Sequence, residues 1–150
     1  MKPFQLMLPA LLCVLLGACA SKSTKVQAEK TTGDATVVAA GNVAVVKSRD
    51  GSYTGEVSGQ VVPGSKFAKL QIGMYQDEVQ ELMDHAPDRQ HMYETGKRWI
   101  PFYFGSDARR MQALYKKEGC LIFTAGNVWG FAGGELIRID HDPSGACYQP

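Results

Sequence analysis

No apolar run in this 150-residue chain reaches the roughly 20 residues that a helix needs to cross a bilayer. The longest, Phe4 to Leu16, is interrupted by Pro9. An excess of either charge is also missing, because 16 basic residues face 15 acidic ones. This balance excludes the concentrated Lys and Arg on which nucleic-acid binding depends, and it excludes attraction to acidic membranes by charge alone. Histidine is confined to His85, His91 and His141. Neither His85 nor His91 has an acid or cysteine at ligand spacing, so solvated loop histidines explain them better than a metal or a base pair. Aromatic residues are absent from Ala20 to Gly51. That composition excludes a packed core over most of the stretch.

What is present at the amino end is a leader. Lys2, the apolar run, and the small residues Gly17 and Ala18 before Cys19 have the layout of a secretory signal. Leu16, Gly17, Ala18 and Cys19 resemble the lipobox of bacterial lipoproteins, in which the cysteine thiol receives a diacylglycerol and the chain is cut before it. A thiolate suits that chemistry as a strong nucleophile, and several acyl chains on one residue give stable anchoring. Ala20 stands where Asp commonly retains such proteins at the inner membrane. The expectation is a signal peptide over 1–18 and a covalent lipid on Cys19, with no other cofactor. The mature chain would then be anchored in the outer membrane, facing the periplasm. Losing Lys2 with the leader leaves acids and bases equal.

Four cysteines sort themselves on this reading. Cys13 leaves with the leader and Cys19 carries lipid, so Cys120 and Cys147 remain in an oxidising compartment, where two leftover cysteines favour a disulfide. The rivals are a nucleophilic Cys120 and two inert thiols. Zinc lacks the second closely spaced pair that structural sites use.

Residues 19–62 read as a lipidated amino terminus and flexible tether, with a β-prone patch at 37–46 and a glycine-rich extended arm at 51–64. From Pro63 the character changes. Ser65 is a helix cap, Phe67 and Leu70 share a face, and Gly73 stops the turn. A second helix starts near Gln76, with Val79, Leu82 and Met83 on one side, acids in its first turn and Pro87 beyond its end. The period then becomes two. Residues 98–105, 113–126 and 135–142 read as three strands, the first an edge strand because of Pro101. The order predicts an α+β domain over 63–150, with two short helices packed on a three-stranded antiparallel sheet.

Leu70, Ile72, Gly73, Met74, Val79, Leu82, Pro87, Trp99, Tyr103 and Phe123 resemble the signature of the BamE-like (SmpA/OmlA) lipoprotein family. The family motif rests on Gly73, Met74, Val79, Leu82 and Pro87. Tyr75 departs from it, since the family has Ser or Thr there as a helix cap. The resemblance implies that fold, and an outer-membrane interaction module supporting outer-membrane protein assembly or envelope integrity, with the assembly machinery or another envelope protein as partner.

Candidate chemistry is thin. Asp140, His141 and Asp142 lack the oxygens that calcium wants, and the turn from Asp142 to Gly145 explains them. The glycines of residues 130–134 have no Lys or Ser/Thr at phosphate-loop spacing. Trp99, Tyr103, Trp129 and Phe131 form a candidate surface, with Trp129 and Phe131 as partner-binding residues because they sit in a loop. No nucleophile, base and orienting group come together, so the expectation is a protein that is not an enzyme. The alternative to the interaction module is a binder of cell-wall or other glycans through these aromatics.

Overall fold

The computed structural model describes residues 36–37, 43–127, 129 and 133–150. Cys19 and Phe131 lie outside them. The described strands are β1 (Thr36–Val37), β2 (Val43–Lys47), β3 (Thr54–Gly59), β4 (Arg89–Glu94), β5 (Arg109–Tyr115), β6 (Gly119–Thr124) and β7 (Leu136–His141). They form one mixed sheet in the order β1-β2-β3-β7-β6-β5-β4. All neighbours run antiparallel except β3 and β7, which pair in parallel from Glu56↔Arg138 to Gly59↔His141. Among the described residues there is one α-helix, α1 (Gln76–Met83).

This overturns the expected architecture of two helices on three strands. It overturns the BamE-like (SmpA/OmlA) resemblance too, and the description as an outer-membrane lipoprotein of that kind loses its structural support. Each difference has a local cause. The segment at 65–73 makes only a single 3-10 turn, Phe67–Lys69, because the backbone is already extended at Leu70 (ψ 145°). Ser65 Oγ still accepts from the Ala68 N–H, so the cap is present and the helix is not. Residues 113–126 contain most of a hairpin rather than one strand. The chain reverses at Lys116–Glu118, where Lys117 takes φ 68°, and the strand before the turn begins already at Arg109. Residues 98–105 are not a strand. The edge place beside β5 is filled by β4, from Arg89↔Leu114 to Glu94↔Arg109, which leaves 95–108 as the connection. Residues 43–59, assigned to tether and arm, supply β2 and β3.

The core lies on one face. Alternate residues Ala113 and Tyr115, Leu121 and Phe123, with Leu136 and Ile139, meet Phe67, Leu70, Ile72, Val79 and Met83. Val79 and Met83 recur four residues apart, so both fall on the inward side of α1. Gly55 permits the close seat of Ile72: a Cβ there would stand 2.4 Å from the Ile137 carbonyl oxygen and 2.7 Å from Ile72 Cγ2. Tyr75 occupies the helix cap position, and Glu78 reaches back to it by accepting from the Tyr75 N–H at 2.7 Å. Arg49 then holds Glu78 with two hydrogen bonds of 2.9 and 2.7 Å, tying α1 to the β2–β3 turn.

On the opposite face the carboxy-terminal segment folds back over β5 and β6. Cys120 of β6 is joined to Cys147 by a disulfide. Gln112 donates to the Cys147 carbonyl at 2.7 Å and accepts from the Gln149 N–H at 3.1 Å. Tyr148 meets the His91 ring edge-on and lies under the Arg89 guanidinium.

Replacing Cys120 and Cys147 together by Ser removes a closure of 27 residues. The expected loss is about 3.5 kcal/mol in chemical denaturation. Hydrogen-exchange protection should fall first at residues 143–150, and a uniform loss over the sheet would contradict this account of the pinned tail.

Candidate functional site

Five of the large exposed apolar side chains fall on two connections at one end of the sheet. In the β4–β5 connection, Trp99 is 82% exposed, Ile100 52%, Phe102 89% and Phe104 70%. Trp129, in the β6–β7 connection, is 69% exposed. The two connections are bonded to each other: the Gly126 N–H donates to Ser106 O at 2.9 Å, and the Arg109 N–H to Gly126 O at 3.2 Å. Single exposed apolar residues are ordinary, but large ones gathered on adjoining loops mark interaction surfaces.

The loop that carries them is braced. Asp107 sits at its base with its side chain only 19% exposed. Its carboxylate accepts from Lys97 Nζ and from the Tyr103 hydroxyl, and from Arg110 at 3.3 Å. Its main-chain carbonyl accepts from Thr95 Oγ1 at 2.9 Å. Lys97 also lies over the Tyr103 ring, 5.5 Å from its centroid. Burial pushes the Asp107 carboxyl up, but the Lys97, Tyr103 and Arg110 bonds outweigh it and hold the group below its ordinary value. Lys97 is correspondingly raised by its bond to Asp107. The turn Lys97–Trp99 enters from Gly96 at φ 76°, and Phe102 takes φ 60°. That conformation costs a side-chain-bearing residue about 1 kcal/mol.

The sequence placed Trp99 and Trp129 on the surface it suspected, and both are at this end. Tyr103 is half-buried and works as a brace, while Phe131 lies outside the described residues. Ile100, Phe102 and Phe104, read as part of an edge strand over 98–105, are instead exposed in a connection. The signal for a loop was available in Gly96, Pro101 and Gly105, which bracket the run.

The remaining candidates are dispersed. Gly73 and Met74 line the approach to α1, where the Gly73 N–H donates to Leu136 O at 2.9 Å. Val79 is core, Leu82 packs against it, and Pro87 follows the helix. His85 Nδ1 is 2.8 Å from Met83 O, His91 is on β4 and not in a loop, and His141 packs on Phe67 in a setting whose burial lowers its pKa. Asp140 is engaged by Arg138 at 2.9 and 3.0 Å and by Ser58 at 2.5 Å. Arg138 also reaches Glu56 at 2.8 Å. Burial works against the Arg138 charge, but Asp140 and Glu56 outweigh it and hold the guanidinium above its ordinary value. Asp142 caps its own turn through Ser144 and the Cys147 N–H. Among the described residues no group of three or more His, Cys, Asp or Glu could hold a metal ion. No helix among them is long and apolar enough to cross a membrane.

No family model matches this chain, and neither the curated proteins nor the solved structures contain a match to it.

Because the Asp107 carboxyl is held low, its bracing is complete above the ordinary carboxylate range and is lost as pH falls through the depressed value. In a Trp129→Phe background, Trp99 fluorescence should hold steady from neutral pH through the ordinary carboxylate range and change below it. Asp107→Asn should abolish that transition and cost about 1–2 kcal/mol in stability. An unaltered transition in Asp107→Asn would remove Asp107 from this role.

Proposed function

We propose that this protein is a lipid-anchored, periplasm-facing interaction module of the outer membrane, tethered through Cys19, which grips a protein partner with the aromatic tip at 99–104 and Trp129. The anchor is argued from the amino-terminal sequence alone. The observation that supports the grip is Phe102, which is almost fully exposed in a left-handed backbone. Glycine would fit that backbone at less cost. Neither the core nor the sheet gains from an aromatic there, so the side chain is best explained by something outside the fold. Trp is also the residue type most enriched where a few contacts dominate binding. Asp107 presents the tip in one conformation, which lowers the entropy lost on docking. A role in barrel assembly loses the family likeness it rested on, whereas a proteinaceous envelope partner needs only the tip.

A photo-crosslinking residue at position 102 or 104, in the host, should give an adduct with one envelope protein, and the same residue at Lys117 in the opposite hairpin turn should not. Trp99→Ser with Phe102→Ser should reduce the adduct at 104 at least ten-fold while leaving the melting temperature within a few degrees. Adducts with lipid alone would replace the protein partner by the bilayer. Separately, Phe102→Gly should stabilise the fold by about 1 kcal/mol while weakening capture. A variant that loses stability would show that Phe102 serves the fold. Labelled fatty acid should enter the native chain and not Cys19→Ser, and equal labelling would end the anchoring proposal.

A further inference from the structure

The sheet face turned away from α1 carries a walled trough that the aromatic tip does not use. Strand register aligns Glu56, Arg138, Ile122, Gln112 and His91 in a single row across β3, β7, β6, β5 and β4. Five strands at the usual spacing make that row about 19 Å long. Two depressions, of about 760 and 460 Å³, meet on it and share Tyr93, Ile122 and Arg138. The carboxy-terminal segment from Cys147 borders the row on one side, and Gly105 to Asp107 border it on the other.

A sheet surface that merely faces water needs neither wall. Here one is pinned by the Cys120–Cys147 disulfide and by both ends of the Gln112 amide. The floor is also set in advance. Arg138 is fixed between Glu56 and Asp140, and Ser58 fixes Asp140 in turn. Such a floor needs little rearrangement to receive a ligand.

The chemistry selects against charge. An anion would meet Glu56 and Asp140, and a cation would meet Arg138 and Arg110. A guanidinium and a carboxylate held side by side instead offer a donor and an acceptor together, which suits adjacent hydroxyl groups. The Tyr93 ring lies along the β4 side, tilted 35° from the His91 ring at 5.8 Å, and gives an aromatic surface beside the polar floor. The faces of sugar rings are lined by C–H groups and their rims by hydroxyls. We propose that the trough binds an uncharged saccharide chain of several rings lying across the strands, with Arg138 and Glu56 hydrogen-bonding its hydroxyls and Tyr93 against a ring face.

The test is calorimetric titration of the purified full mature chain with chitotetraose and with maltotetraose, and with tetralysine as a charged comparator. At least one tetrasaccharide should bind saturably. Tyr93→Ala and Glu56→Ala should each weaken that binding at least ten-fold without lowering the melting temperature appreciably, and Phe102→Ser should leave it unchanged. Arg138→Ala should abolish it. Tyr93 and Glu56 carry the test should that variant fail to fold. No saturable binding of either sugar, tighter binding of tetralysine than of both, or native affinity in the folded Tyr93 and Glu56 variants would each overturn the proposal. Because Phe102→Ser separates trough from tip, failure here leaves the partner reading standing, and the converse also holds.

Discussion

Among the described residues one short helix is set against a sheet seven strands wide, and most of the structure follows from that shortage. With eight residues, α1 covers only the middle of one face, even with the Phe67–Ile72 segment beside it. Apolar side chains therefore concentrate on that face of β5, β6 and β7, where burial of each contributes about 1.5–3 kcal/mol. The other face has no helix over it among the described residues and carries Glu56, Arg138, Gln112 and His91 in register. Antiparallel sheets tolerate this division because their residues alternate sides. The carboxy-terminal segment covers Leu114 and Cys120 on that second face, and it is held by a covalent bond rather than by a large apolar area.

The two ends of the sheet are built for different tasks. At the Lys116–Glu118 end the connection is a tight polar turn. At the other end, two longer connections meet through Ser106, Arg109 and Gly126, and there the chain spends both backbone strain and apolar surface on water-facing positions. Asp107 reconciles these features. A loop with four exposed apolar side chains would otherwise collapse onto the nearest uncovered surface, and the hub of Lys97, Tyr103 and Arg110 holds its base in place while the tip stays outside.

The amino-acid pattern revealed some of this and hid the rest for physical reasons. The 3.6 periodicity of Val79, Leu82 and Met83 marked α1 correctly, and the alternation at 135–142 marked β7. The same alternation at 98–105 misled, because period two reports which residues could share a face and says nothing about whether a neighbouring strand is free. β4 was invisible for the complementary reason. At an edge, without a helix over it, Arg89–Glu94 needs no apolar face and reads as loop. β2 was half visible, since the β-prone patch at 37–46 overlaps it, while β3 was hidden by glycine, and Gly55 is small because Ile72 must pass over it, a long-range requirement that no local window contains. The resemblance to a family of two helices and three strands drew on Gly73 and Met74, residues whose local turn is compatible with more than one surrounding sheet.

The parallel pairing of β3 with β7 sets the order in which the molecule can be completed. β7 lies between the amino-terminal hairpin and the β4–β6 meander, and Gly59 pairs with His141, so more than half of the described chain separates the partners. Until β7 has been made, β3 has no neighbour on that side and the two halves of the sheet cannot join. Closing so long a loop is slow relative to local pairing. The chain thus keeps an open edge and an unfinished core until β7 joins β3, with that strand as the latch.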